Sequence, residues 1–297
     1  MDRVTVVNVT PEHEYDSSCI SQAQVKRFSF SAGETCIELP EIEMQEYGTD
    51  AIIMMVCTWT SDADTMAILQ ATDILRRHNY NNISLHLPYM PYSRQDRYTT
   101  DHSSFALMQF ANQISSCNFI SVSSTDAHSN VSEALFDNFH NITAPELLSH
   151  VADTLLLRSS RKCESPPKPY VVSPDAGAYK KIFDTVKECG LSSDVEVLCA
   201  NKMRDAATGE IVRTTLSETD LQNRTCIVVD DLCDGGYTFI KLAEELKKAG
   251  AGDLHLVITH GIFSKGLEVL KEHYKTITCS NTYPHGLLDD TLTILDV

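Results

Sequence analysis

Asp230, Asp231 and Asp234 crowd against Gly235 and Gly236, with Tyr237 and Thr238 directly after, in the stretch VVDDLCDGGYTF. A divalent cation alone would account for the carboxylates and leave the glycine pair incidental. A phosphate alone would account for the glycines, which let backbone N–H groups close on an anion, but the carboxylates would repel it. A sugar phosphate accounts for both. Carboxylates accept hydrogen bonds from ribose hydroxyls, and bare N–H groups hold the phosphate. The run CIVVDD leading into the glycines is apolar and β-branched, which predicts a buried parallel strand with its acids at the carboxyl end. Open α/β sheets take their ligands at that edge. The pattern TFIKLAEELKKAG predicts the next helix, whose N-terminal dipole adds to the phosphate site and whose expected cap is Gly250.

The elements that must position such a site alternate along the whole chain. VTVVNV, AIIMMVC, ISLHL and FISVSS read as strands in the first half, and YVV, VEVLC, TCIVVD and LHLVITH in the second. Between them lie helical patterns. Ser61 stands three residues before Asp64, a capping-box opening to ADTMAILQATDILRRH, whose Met66, Ala67, Leu69, Ala71, Ile74 and Leu75 form an apolar face. Strand–helix alternation of this kind predicts an α/β fold with parallel sheets covered by helices on both faces. RSSRKCESPPKP, polar, basic and proline-rich, breaks the rhythm and reads as an exposed linker. Two α/β domains of similar size are therefore expected, residues 1–157 and 158–297.

The 297 residues suffice for one large domain or two ordinary ones, and 42% hydrophobic with 22% charged residues fits a globular chain. A net charge of −17 leaves no basic face for counterion release, so nucleic acid is not an expected partner. An anionic substrate must then rely on local Lys, Arg, N–H groups and metal. No apolar run approaches a membrane span, and MDRVTVVNVTPEHEYD lacks a basic segment leading into an apolar core, so neither membrane nor secretory signal is expected. The 10 cysteines include no C-x-x-C pair, which favours reduced thiols in a cytoplasm over a zinc site or disulfide framework.

The acidic loop resembles the phosphoribosyl diphosphate loop of phosphoribosyltransferases and of ribose-phosphate diphosphokinases, the PRPP synthetases. Further segments resemble the latter family alone and in its order: FSAGE, LPYMPYSRQDR, STDAHS, VVSPDAGAYK, NKMRD and ITHGIFS, spanning Phe30 to Ser264. The resemblance implies two phosphoribosyltransferase-like domains, the first for ATP and oligomerisation and the second for the ribose phosphate. It implies a transferase that moves the β,γ-diphosphate of ATP to the anomeric hydroxyl of ribose 5-phosphate, giving PRPP and AMP in nucleotide biosynthesis. By the same resemblance Phe30 and Glu34 contact adenine from a neighbouring subunit, so a homo-oligomer, dimer to hexamer, is expected. Arg94, Gln95 and Asp96 bind ATP, and the flanking Pro88, Tyr89, Pro91 and Tyr92 stiffen their turn. His128 and Asp175 match magnesium-associated positions. Lys202 and Arg204 match the cations of a lid that clamps the transferring phosphates, in a polar, glycine-containing segment that reads as mobile.

Two positions depart from the family pattern. Ala32 stands where the family carries Asp or Asn, and the loop reads Asp234-Gly235-Gly236-Tyr237-Thr238 where the family has D-T-x-G-T. The large ring of Tyr237 raises a second acceptor, ADP-ribose, whose AMP extension an aromatic beside the loop would stack on. Certain phage enzymes of this fold act on ADP-ribose in rebuilding NAD+, and their loop has the similar D-G-G-x-T-F form. A non-catalytic associated subunit is a further alternative, which the presence of Lys202, Arg204, His128 and Asp175 disfavours. A plain phosphoribosyltransferase is disfavoured by the two-domain length and by the R-Q-D-R segment.

Overall fold

The computed structural model describes residues 4–10, 21–39, 52–160, 167–204 and 211–297. The chain divides into two compact units, Met1–Ile142 and Thr143–Val297.

In the first unit, strands β1 (Val4–Asn8), β2 (Ser21–Gln24), β5 (Ile52–Val56), β6 (Ile83–Leu87), β7 (Ser121–Thr125) and β8 (Phe139–Ile142) form one sheet in the order β2-β1-β5-β6-β7-β8. Every pairing in it is parallel. Strands β3 (Lys26–Ser29) and β4 (Thr35–Glu38) form a separate antiparallel hairpin. Helices α1 (Asp62–Arg77), α2 (Ala106–Ser115) and α3 (Val131–Leu135) connect the strands. Ala67, Ile68, Ala71 and Leu75 of α1, with Leu107, Phe110 and Ile114 of α2, share one buried core with Ile53, Met55, Ile83 and Leu85 of the sheet. Met66, expected on the apolar face of α1, is instead exposed, and Ile68 takes the core position. The helical period turns the side chain of residue 66 away from a sheet that residues 67, 68, 71 and 75 cover.

In the second unit, β9 (Tyr170–Ser173), β10 (Glu196–Arg204), β11 (Ile211–Leu216), β12 (Cys226–Cys233), β13 (Leu254–Gly261), β14 (Thr276–Ser280) and β15 (Leu292–Leu295) run in the order β11-β10-β9-β12-β13-β14-β15. All pairings are parallel except β10 with β11. The helices are α4 (Pro145–Ser160), α5 (Ala176–Glu188), α6 (Tyr237–Lys248) and α7 (Glu268–Lys271). Alternation along the strands supplies two cores, one on each face. Val172, Val228 and Leu256 pack with Phe239, Leu242, Leu246 and Leu270 from α6 and α7. Val171, Ile227 and Val257 pack with Leu147, Leu148 and Val151 of α4 and with Ile182 and Val186 of α5.

The expected boundary between residues 157 and 158 falls inside α4, whereas the units separate at 142/143. Composition marks residues 158–169, of which the first three belong to α4 and residues 161–166 lie outside the described residues. The division is set by the apolar side of α4, which covers the second sheet.

Candidate active site

The acidic loop leaves the sheet at its centre. Strand β12 has parallel neighbours on both sides, with Asp230 opposite Ile258 and Leu232 opposite His260. Asp230, Asp231 and Asp234 are half-buried at its C-terminal end, as expected from the sequence, and Asp230 Oδ1 accepts from the Asp231 N–H at 3.1 Å. Cys233 is buried between the acids. Burial, then the charges of Asp230 and Asp234, push its thiol up to about 12.

Gly236 caps α6 with φ +79, and a Cβ there would sit 3.0 Å from Leu270 Cδ2. Left-handed backbone and close packing both require glycine. A Cβ on Gly235 would meet only ordinary contacts, 3.5 Å from Lys265 Cγ and 3.9 Å from Ser264 Oγ. No side chain caps α6; the Phe239 N–H donates to the Gly236 carbonyl at 3.0 Å, and the Tyr237 and Thr238 N–H groups stand at the open end of the helix, where an anion could be received. Tyr237 is the first residue of the helix and 56% exposed, with Lys241 Nζ 5.9 Å from its ring centroid. Helix α6 ends at Lys248, and Gly250 follows at φ +80, the left-handed position foreseen for it.

The loop between β13 and α7 forms a second wall. The Ile262 and Phe263 N–H groups both donate to the Cys233 carbonyl, at 2.9 and 3.1 Å. Phe263 is buried at φ +47 beneath that wall, and its ring would lie 2.2 Å from any Cβ on Gly261. Ser264 and Lys265 are turned out and exposed, and Ser264 Oγ donates to Asp234 Oδ1 at 2.6 Å. Within ITHGIFS and the residue after it, nothing local marks Ser264 or Lys265 for a role. Their proximity to Asp234 and Gly235 is tertiary and leaves no local pattern.

Asp175 is the N-cap of α5. Its Oδ1 accepts from Ala178 N at 3.0 Å, and Ser173 Oγ donates to its carbonyl at 2.7 Å. A Cβ on Gly177 would lie 3.2 Å from that Oδ1, so the glycine gives the carboxylate its place. Lys202 and Arg204 lie on β10, paired with Thr214 and Ile211 of β11, with a register shift between Met203 and Arg204. Their side chains, and residues 205–210 of the expected lid, lie outside the described residues.

In the first unit, Phe30 and Glu34 stand at the mouth of the β3–β4 hairpin, where the Phe30 N–H donates to Glu34 O at 3.0 Å and Gly33 takes φ +92. Phe30 is 59% exposed and meets Phe28 edge-on at 5.5 Å. Helix α1 fixes this hairpin. Gln70 bonds Thr35 O and the Ile37 N–H at 2.7 and 3.2 Å, and Arg27 pairs with the buried Asp64. Asp64 also accepts from the Ser61 N–H at 2.8 Å, so the expected capping box is present.

Arg94 and Gln95 are exposed on the turn after β6, and Tyr92, at φ +58, closes it by accepting the Gln95 N–H at 2.8 Å. Asp96 differs from its neighbours. It is buried and accepts from Arg97 Nε and Ser129 Oγ, both at 2.8 Å. The Arg97 guanidinium holds its carboxyl below the usual range, against burial, with Ser129 and His128 adding to the effect. The structure thus brings the turn of Arg94 to Asp96 and the loop of the exposed His128 together. Asp96 is the tie between them. Among the described residues no group of three or more His, Cys, Asp or Glu side chains is arranged to hold a metal ion, and no helix is long and apolar enough to cross a membrane.

Residues 15–117 match the family model for the N-terminal domain of ribose phosphate pyrophosphokinase, and residues 215–291 that for the phosphoribosyl synthetase-associated domain. A ribose-phosphate pyrophosphokinase of Vibrio cholerae is 30% identical over 247 residues, covering 82% of this chain and 73% of that protein. One from Bradyrhizobium diazoefficiens is 29% identical over 247 residues, 83% of this chain and 72% of that one. The crystal structure of phosphoribosylpyrophosphate synthetase from Mycobacterium smegmatis superposes with a TM-score of 0.80 at 20% identity, covering 99% of this chain and 95% of the other, and shares its fold. With these likenesses spanning both units, the chain belongs to the ribose-phosphate pyrophosphokinase family.

Proposed function

We propose that the chain is a ribose-phosphate diphosphokinase: the anomeric hydroxyl of ribose 5-phosphate attacks the β-phosphorus of ATP. The new bond joins the sugar oxygen to that phosphorus, the bond to the α-phosphate oxygen breaks, AMP leaves, and the hydroxyl proton is released. The observation that carries this reading is the loop from Asp230 to Thr238. Its half-buried carboxylates lie at the end of a central parallel strand and run directly into an uncapped helix N-terminus through a left-handed Gly236. That combination suits a sugar bearing both hydroxyls and a phosphate.

On this reading Asp230 and Asp231 accept from ribose hydroxyls, and the N–H groups from Gly235 to Thr238 receive the 5-phosphate. In the first unit, Phe30, Glu34, Arg94 and Gln95 contact ATP, and Asp96, committed to Arg97 and Ser129, acts by holding that turn. Lys202 and Arg204 supply fixed positive charge to the transferring diphosphate.

Magnesium belongs to the same proposal. Among the described residues the donors fit an ion that arrives on nucleotide phosphates and takes one or two protein ligands, as Mg²⁺ does. His128 within the first unit and, separately, Asp175 within the second, whose carboxylate is oriented by Ala178, are each proposed as a magnesium-associated donor. When bound, the ion neutralises charge on the transferring phosphates. A homo-oligomer in the cytoplasm completes the reading, in keeping with the free cysteines Cys36, Cys57, Cys117, Cys189, Cys199, Cys226, Cys233 and Cys279.

One observation favours a second acceptor. The Tyr237 ring is 56% exposed beside the loop, as a platform for the nucleotide part of ADP-ribose would be. Incubation with ATP, Mg²⁺ and each acceptor in turn tests both readings. AMP accumulating with ribose 5-phosphate supports the first, AMP only with ADP-ribose supports the second, and ADP as the main nucleotide product contradicts both. No turnover with either would return the associated-subunit alternative.

A further inference from the structure

We infer that Lys265 is a phosphate-binding residue of the acceptor site, supplying the side-chain cation of the loop between β12 and α6. The inference rests on the sugar-phosphate reading of that loop.

The loop has an electrostatic problem that its backbone alone meets weakly. Asp230, Asp231 and Asp234 put three carboxylates around the place assigned to a phosphate, in a chain of net charge −17. Helix N-termini and N–H groups carry partial charges only. A full positive charge close by would offset the acids.

Lys265 stands at that place. A Cβ built on Gly235 would lie 3.5 Å from Lys265 Cγ, so the lysine stem passes over the glycine whose bare backbone faces the phosphate. The ammonium lies only a few bonds beyond that carbon, on an exposed, flexible stem. The stem is held from below: Phe263 is buried, and Ile262 and Phe263 are hydrogen-bonded to the Cys233 carbonyl. Next to it Ser264 is bonded to Asp234.

Several other lysines of the second unit are committed elsewhere. Lys241 pairs with Glu244, Lys248 with Glu245, Lys271 with Glu268 and Asp289, and Lys275 with Asp253. Among the described residues, no ion pair engages Lys265. It combines position beside the loop with an uncommitted charge.

The test is steady-state kinetics of the full chain with ribose 5-phosphate, comparing Lys265→Ala, Lys265→Arg and Lys265→Glu. Lys248→Ala, at the far end of α6, controls for loss of one positive charge. Lys265→Ala should raise the acceptor KM by about tenfold or more, equivalent to about 1.4 kcal/mol. Its KM for ATP should stay within about twofold, Lys265→Arg should restore most of the acceptor affinity, and Lys265→Glu should lose more than alanine. An acceptor KM for Lys265→Ala no different from that of Lys248→Ala would overturn the inference. If the wild-type chain makes no product from any sugar phosphate, the transfer reading fails separately, and calorimetric binding of ribose 5-phosphate then decides. Weaker binding by Lys265→Ala supports the role. Equal binding, or none by the wild type, overturns it.

Discussion

Ser264 Oγ donates to Asp234 Oδ1 at 2.6 Å, joining the loop after β13 to the loop after β12 across 30 positions of sequence. The bond gives one acid of the loop a donor of its own and so fixes where Asp234 sits. Ser264→Ala should remove that donor from the carboxylate and raise the acceptor KM by about tenfold or more, since hydrogen bonds to charged groups are worth about 1.5–3 kcal/mol. Ser264→Thr should retain most of it. Kinetics for both variants check this. Wild-type acceptor KM in Ser264→Ala would reduce the bond to a surface contact.

Lys202→Ala and Arg204→Ala should lower kcat by roughly 10²–10³ while changing acceptor KM little, because their charge is needed where charge develops. Single-turnover measurements separate the chemical step from binding. A raised KM with unchanged kcat would remove both residues from the chemistry.

Tyr237 decides between acceptors. If its exposed ring stacks on a nucleotide extension, Tyr237→Ala should weaken use of ADP-ribose by about 5- to 150-fold, the equivalent of about 1–3 kcal/mol of stacking. Use of ribose 5-phosphate should change far less. Equal losses with both acceptors would leave the ring only a shaping role in the loop.

The fold is legible in the sequence where its signal is local. The strand CIVVDD, the glycine turn and the following helix stand as expected, because buried parallel strands are apolar runs and Gly236 must be left-handed. Strands β2, β3, β4, β8, β11, β14 and β15 are not legible there. Several are short or at sheet edges, as is LTIL in β15, and a run of four residues carries little periodicity. Asp96 was legible as part of a motif but not as a buried tie to Ser129, and Asp64 was legible as a cap but not as the partner of Arg27. Such pairings arise from the fold, between segments far apart in sequence.

The Asp64–Arg27 pair carries a stability prediction. Burial would raise the Asp64 carboxyl, but the Arg27 guanidinium and the Thr60 and Ser61 N–H groups prevail and hold it below its ordinary value. A depressed carboxyl stabilises the fold above the unfolded pKa, and that contribution is lost as pH falls through the folded one, here below about pH 4. Asp64→Ala should cost a stability near the low end of the ~3–5 kcal/mol for breaking a buried pair, because Arg27 keeps 20% of its side chain exposed. It should also flatten the acid limb of the stability curve. Denaturant midpoints measured against pH check both, and an unchanged acid limb would contradict the assignment.

The central claim is that a diphosphate moves as one unit. The most direct measurement uses ATP labelled at the β-phosphorus, with Mg²⁺ and the sugar-phosphate acceptor, and follows the label. The label should leave the nucleotide and appear in the sugar product in a one-to-one ratio with AMP. Label retained in ADP, with a single phosphate gained by the sugar, would contradict it.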